Sequence, residues 1–319
     1  MQNKKYIIYF IIFLFSCNKL PQSTGLNNEI TIVCSNEDKE YIKLALSPIL
    51  EKNVYTPTIE NLYRLNFIEG IDFYENRYKK NIIVCSLEHP HDSNIDLLSN
   101  KIRNQYNNES FIAISNLYAE NQLLISIYSH DATKLLFDMN SKKNWIIDTI
   151  DENIKLNFLN DINSNEINKE LLTKINSMFK INMIIDENYK LLKEDIDFIW
   201  IGRGYPYRWI VINQIDYSNN QNKLVNDSLY YFEYIDDLME QKLTDVVISD
   251  YKANISGDIL RGVYEHKSSQ SGGPFFTYKY RNSHTDKLIF ISGFVNNPGK
   301  SKAYLLLQLE TIIKSIKEI

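Results

Sequence analysis

Phe275-Phe-Thr-Tyr-Lys-Tyr280, the polar loop Arg281 to Lys287, and Leu288-Ile-Phe-Ile-Ser-Gly-Phe-Val295 together decide the fold of this chain. Two runs rich in aromatic and β-branched residues, separated by a short polar loop, predict an antiparallel hairpin. The second run is apolar on both alternating faces, so it is expected as a central strand. Outward from it, residues 198–201 and 208–214 read as another strand pair, joined by a turn that holds Gly202, Gly204 and Pro206. Residues 259–264 add a further strand. Helices are expected where Ile167, Leu171, Ile175, Met178 and Phe179 keep three-to-four spacing, and again over 224–243. A last helix follows Pro298-Gly299-Lys300-Ser301, with Ser301 as its cap and Leu305, Leu309, Ile312 and Ile316 as its apolar stripe. Residues 161–319 therefore read as a C-terminal α+β domain, an antiparallel sheet covered by helices.

The preceding half alternates strands and helices. Ile30 to Cys34 reads as a buried strand, and Ser35 or Asn36 can cap the helix whose face carries Tyr41, Leu44, Ala45 and Ile49. Strands are expected at 62–67, 81–85, 111–115 and 122–128, with a helix over 95–106. Two more helices are expected, one from Asp131 and one from Trp145 to Phe158. Residues 29–160 thus form an N-terminal α/β-like domain, and the fold class of the whole is α+β. The polar stretch 160–165 separates the two domains.

The chain begins with an address label. Lys4 and Lys5 precede an apolar run from Tyr6 to Phe15, about half the length a spanning helix needs. Leu14-Phe15-Ser16-Cys17 then places a small residue directly before a cysteine. A basic start, a short apolar core and a small residue at the cut make residues 1–16 a signal peptide. The stretch resembles a bacterial lipoprotein signal, which implies lipidation of Cys17, a palmitate-bearing anchor in the cell envelope, and a membrane partner reached through that lipid. Two or more acyl chains hold a protein stably on a bilayer where one does not. Residues 17–28, with Pro21 and Gly25, read as a polar tether.

The chain has 319 residues, a net charge of −5, 10 Gly and 7 Pro, which exclude a low-complexity or collagen-like chain. Removing Lys4 and Lys5 with the signal leaves 33 basic against 40 acidic residues, a mature charge of −7. No nucleic acid is expected as a partner, because such binding needs a basic face. Cys34 and Cys85 both end apolar strands. A bridge between them is conceivable, and free buried thiols are the expected state.

Several motifs of the C-terminal half stand in a familiar order. They are Phe198-Ile199-Trp200, Asn226-Asp227-Ser228, Leu260-Arg261-Gly262 with Tyr264, Ser271-Gly272-Gly273-Pro274-Phe275, Gly293-Phe294-Val295, and Gln308-Leu309-Glu310 with Ile312 and Ile313. In this order and spacing the chain resembles a family of uncharacterised bacterial envelope lipoproteins known as a domain of unknown function, number 4837. The resemblance covers residues 162–319 well and 26–158 more loosely. It departs where Gly202 precedes Arg203, where Tyr264 replaces a tryptophan, and where a Pro-Gly turn is missing from 230–249. It implies a fold and a location but no reaction.

No catalytic residue, metal ligand or cofactor emerges. The chain has no Gly-x-Ser-x-Gly elbow, phosphate-binding loop or zincin helix. His89, His91, Asp92 and the pair His130-Asp131 have metal-ligand composition, but a site needs three or four converging ligands. The candidate binding surface consists of Arg203, Tyr205, Tyr207, Arg208 and Trp209, with Gly272 and Gly273. Amphipathic aromatics beside arginine suit recognition of protein or glycan, although the same residues suit a sheet surface packed under helices. Gly272-Gly273 before Pro274 could expose amides to an anion or could form the turn that launches a strand. The reading is a lipid-anchored binding or assembly module of the envelope, meeting another envelope protein. The alternatives are an envelope hydrolase acting on glycan or peptide, and a small-ligand carrier.

Overall fold

The computed structural model describes residues 19–164, 167–217, 224, 227–249, 254–269 and 271–319. Residues 1–16, read from the sequence as a signal peptide, and Cys17 lie outside the described residues. Isoleucine- and valine-rich runs build the first half. Its elements are β1 (Glu29–Val33), α1 (Lys39–Leu50), β2 (Asn53–Tyr55), β3 (Ile59–Asn61), β4 (Arg64–Ile68), the short α2 (Phe73–Asn76), β5 (Asn81–Leu87), α3 (Ser93–Gln105), β6 (Phe111–Ser115), β7 (Leu123–Ser129) and α4 (Ala132–Ser164). Among the described residues, five of these strands form a sheet in the order β4-β1-β5-β7-β6, parallel except for β6 against β7. Successive side chains of a strand point to opposite faces. Ile30, Ile32, Ile83 and Ile125 therefore pack under α1 and α4, while Val33, Ile82, Val84 and Leu124 pack under α3.

The second half comprises α5 (Lys169–Phe179), β8 (Ile181–Asn182), β9 (Lys190–Asp195), β10 (Phe198–Arg203), β11 (Tyr207–Asp216), α6 (Ser228–Lys242), β12 (Val246–Ile248), β13 (Asn254–Ser256), β14 (Ile259–His266), β15 (Ser271–Asn282), β16 (Lys287–Asn296), α7 (Ala303–Lys314) and β17 (Lys317–Glu318). An antiparallel sheet runs β12-β14-β15-β16-β11-β10-β9, with β13 also on β14. The β15–β16 hairpin lies at its centre, as the opening stretch predicts. Ile210, Ile212, Ile291 and Val295 face α5 and α7, whereas Val211, Phe290 and Phe294 face α6. The architecture is α+β, with the class and order that the sequence indicates.

Several local expectations differ. In α1 Tyr41 and Leu44 are exposed, and the buried face is Ile42, Ala45, Leu46, Ile49 and Leu50. The helices expected from Asp131 and from Trp145 are one helix, α4, of 33 residues. Residues 140–144 between them are polar and exposed, but they contain neither Pro nor Gly, so nothing breaks the backbone ladder. Its early turns carry Leu135, Met139, Ile146, Ile150 and Ile154 into the first core, and its late turns carry Phe158 and Ile162 into the second.

Helix α7 is not a one-sided amphipathic helix. Ala303 joins the first core, with Tyr304 and Leu307 packed on it, while Leu306, Leu309, Ile312 and Ile313 fill the second. Burying a large aliphatic side chain contributes roughly 1.5–3 kcal/mol, so α7 gains from both halves at once.

Ser271-Gly272-Gly273-Pro274 lies inside β15 rather than in a turn before it. Gly272 pairs with Glu265, Gly273 with Tyr264 and Pro274 with Val263. A Cβ on Gly272 would lie 2.2 Å from the Tyr264 carbonyl oxygen, and one on Gly273 would lie 1.9 Å from that of Val295. The two glycines permit close approach of three backbones and do not form an anion loop.

The described part of the polar stretch 17–28 is pinned down from Pro21, whose carbonyl accepts from Glu120 N–H at 2.8 Å. Thr24 N–H donates to the Tyr78 carbonyl at 2.7 Å, and Lys80 N–H returns to Thr24 at 3.0 Å. The Asn27 amide donates to Asp161 Oδ2 at 3.0 Å and to the Tyr304 hydroxyl at 2.9 Å. Its polarity serves sheet-edge and side-chain hydrogen bonds as well as solvation.

Candidate functional site

Antiparallel register brings distant stretches to one end of the C-terminal sheet. His266 pairs with Ser271, Gly273 with Tyr264, and Tyr207 with Asn296, so β14, β15, β16 and β11 all terminate there. The β10–β11 hairpin closes over Gly204 and a cis Tyr205–Pro206 bond. Within it Gly202 pairs with Trp209, and a Cβ on Gly202 would lie 2.6 Å from the Trp209 ring. The indole therefore lies across the glycine.

Trp209 heads an aromatic cluster on the face beneath α6. Its ring meets Trp200 edge-on at 6.0 Å and His266 edge-on at 5.6 Å, and it tilts on Tyr264 at 5.8 Å. Phe294 supports Tyr264 at 5.3 Å and stacks on Phe275 at 5.7 Å. Such offset and edge contacts each add about 0.5–1.5 kcal/mol beyond area burial. The cluster is consequently a rigid wall.

Beside this wall a cleft of about 600 Å³ is lined by Tyr264, Glu265, His266, Ser271, Gly272 and Asn296 of the sheet strands, and by Pro57, Lys267, Pro298 and Lys302 from the segments outside them. Pro57 comes from the β2–β3 hairpin, so both halves of the chain contribute. Burial holds the His266 imidazolium unfavourable and lowers its pKa below the usual histidine value, against an opposing pull from Asp245. The cleft thus offers an imidazole, a hydroxyl, an amide, the Glu265 carboxylate and two lysines, Lys267 and Lys302, beside the buried Tyr264 ring. These groups suit stacking and hydrogen bonding to a polar, ring-bearing or peptide ligand.

The seven residues singled out in the sequence do not form one surface. Tyr205 and Tyr207 are exposed and meet edge-on at 5.9 Å, with the Lys300 ammonium 5.3 Å from the Tyr205 ring centre. Gly272 lines the cleft, and Gly273 is buried beside it. The arginines turn the other way, towards α5 and α7. Arg203 pairs with Asp186 at 2.9 Å, and Arg208 is buried and donates to Gln308 Oε1. Burial lowers the Arg208 pKa, opposed by the neighbouring Tyr189 and Asp186. Strand alternation explains the division, since Tyr207 and Trp209 share one face and Arg208 takes the other.

Sequence reasoning missed Tyr264, His266, Asn296 and Lys302 as a group. Only the pairing register could have joined them. The histidine-rich stretches have other roles. Asp92 caps α3, accepting from Asn94 N at 2.7 Å and Ile95 N at 3.4 Å, and His130 lies 2.8 Å from Glu88. Among the described residues, no group of three or more His, Cys, Asp or Glu is placed to hold a metal ion. None of the helices among these residues is long and apolar enough to cross a membrane.

Comparison with known proteins finds a matching family model in each half of the chain, and neither model's description names an activity. Residues 168–315 match the model of the domain of unknown function DUF4837, the family that the C-terminal motifs resemble. Residues 23–160 match a second one, DUF8532. No curated protein matches the chain significantly. Among solved structures, similarity is found to the Ran-binding protein Mog1p of Saccharomyces cerevisiae, with 10% identity over 44% of this chain and 90% of that one and a TM-score of 0.31. A point mutant of Mog1 gives 9% identity, 44% and 91% coverage and a TM-score of 0.32. A protein from Bacteroides thetaiotaomicron gives 8% identity, 44% and 45% coverage and a TM-score of 0.25. At these scores the likenesses carry no argument about fold or function.

Proposed function

We propose that this chain, whose C-terminal half carries the DUF4837 domain, is a lipid-anchored binding module of the bacterial cell envelope. It acts by recognition rather than by bond-breaking. The observation that carries the reading is the cleft at the end of the C-terminal sheet, where Tyr264 and His266 are held against Trp209 and the lining is completed by Asn296, Pro57 and Lys302. A rigid aromatic wall with a few converging polar groups fixes a ligand's orientation at low entropic cost. The anchor is the lipid on Cys17, and the partner is another envelope protein presented at the same membrane.

Two comparisons test this reading. Tagged full chain is recovered from membranes with its partners, alongside a His266→Gln, Asn296→Ala variant and a Cys17→Ser variant. The double variant is expected to lose a partner that the native chain retains, and Cys17→Ser is expected to abolish processing and membrane sedimentation. Unchanged sedimentation of Cys17→Ser defeats the anchor. An identical partner profile for the double variant defeats the cleft.

A further inference from the structure

A second concavity lies away from the sheet-end cleft, in the groove where α4 and α7 run side by side between the two halves. It encloses about 650 Å³. Small-molecule sites commonly span roughly 300–1,000 Å³. Val54, Leu159 and Leu307 give it an aliphatic lining, backed by the buried Leu62, Ala303 and Leu306.

Charge is distributed unevenly along its rim. Lys52, Lys155, Arg261 and Lys314 face only two carboxylates, Asp151 and Glu310. Both carboxylates are engaged. Asp151 takes Lys52 at 2.7 Å and the Tyr63 hydroxyl at 2.5 Å, and Glu310 takes Arg261 through both guanidinium nitrogens, one at 2.9 Å. The Lys314 ammonium lies 3.7 Å from Glu310, on the solvent side. Four cations against two carboxylates leave the rim with a formal charge of +2 in a chain whose net charge is −5. A positive rim on an acidic protein draws anions to this place rather than to the surface at large.

We propose that this groove holds a single-chain anionic amphiphile. Its alkyl chain lies along the Val54, Leu159 and Leu307 lining, and its carboxylate or phosphate head is met by Lys155 and Lys314. The alkyl part follows from the aliphatic lining, and the anionic head follows from the excess of cations. The inference is independent of the sheet-end cleft, which shares none of these residues.

The test titrates the purified full chain with dodecanoate, dodecyl phosphate, dodecanol and inorganic phosphate, read by displacement of a fluorescent fatty acid. Saturable displacement by dodecanoate or dodecyl phosphate is expected, with whichever binds better naming the head group. Dodecanol is expected to bind at least about tenfold more weakly, and Lys155→Glu with Lys314→Glu to weaken the anionic ligands about tenfold while sparing dodecanol. A Lys155→Gln, Lys314→Gln pair checks that the loss follows charge, and an unchanged thermal melt checks the fold. Absence of saturable displacement overturns the proposal. So does equal binding of dodecanol and dodecanoate, indifference to both lysine pairs, or inorganic phosphate competing as well as dodecyl phosphate.

Discussion

The Glu60 carboxylate accepts the backbone N–H of Ala303 at 2.9 Å, so a strand of the N-terminal half caps the last helix of the C-terminal half. Lys302 N–H and the Ser301 hydroxyl donate to the same oxygen at 2.6 and 2.8 Å. Ser301, which the sequence offers as the cap, is itself a donor to Glu60. A carboxylate at this position satisfies orphan helix donors and meets the positive end of the helix dipole.

Burial raises the Glu60 pKa, but the hydrogen bonds from Lys302, Ala303, Ser301 and Thr56 together outweigh it and hold the carboxyl below its ordinary range. A depressed folded-state pKa contributes stability that is present above the unfolded value, near 4.3, and is lost as pH falls through the folded value. Glu60→Gln is expected to cost about 1 kcal/mol at neutral pH, the usual worth of a cap. The difference from the native chain should shrink to nothing in acid. Urea unfolding at several pH values measures it, and a pH-independent difference would refute the capping role.

Gly273 and Gly204 make a contrasting pair. A methyl on Gly273 would collide with the Val295 carbonyl, while one on Gly204 would meet no atom within 4 Å. Gly273→Ala should therefore force β15 and β16 apart and cost about 1–3 kcal/mol or more. Gly204→Ala should stay within about 0.5 kcal/mol of native. Thermal melts of the two variants decide the matter, and equal melting temperatures would show that Gly273 is not a close-approach site.

Cys34 directly follows β1 and Cys85 lies within the neighbouring β5, both free and buried. Burial pushes the Cys34 thiol up to about 11 and raises Cys85 as well. The thiolate is the reactive form, so both should resist alkylation near pH 8 in the folded chain and react fully once it unfolds. Mass spectrometry of the alkylated protein counts the modified thiols. Rapid labelling of either in the native state would contradict the packing.

Much of the fold was legible because period-two and three-to-four patterns act locally. The hairpin of residues 275–295, the order of strands and helices and the α+β class all follow from them. Long-range placement was less legible. Nothing local in residues 303–314 says that Ala303 and Leu307 serve one core while Leu309 and Ile312 serve another. The polar residues 140–144 look like an interhelical loop, although the helix continues through them. Arg203 and Arg208 beside three aromatics read as one surface until strand alternation turns both arginines to the face opposite Tyr207 and Trp209. Asp186, which neutralises Arg203, lies in a separate loop whose approach no pattern announces.

His266 offers the most direct test of the sheet-end cleft. Its ring is held against Trp209 and Tyr264, each 5.6 Å away, and burial lowers its pKa below the ordinary value near 6.5. A depressed folded-state pKa means that the native protein takes up the proton less readily than the unfolded chain, so this residue's effect on stability is unfavourable as pH falls below about 6.5 and absent at higher pH. Proton NMR of the imidazole should show a midpoint under that value. Trp209→Leu removes the indole edge and admits water, and the midpoint should then rise towards the ordinary value. Partner capture by the cleft should weaken in parallel. A midpoint at or above about 6.5 in the native chain, or one that Trp209→Leu leaves unmoved, would mean that the ring is solvated and that the aromatic wall does not shape the site.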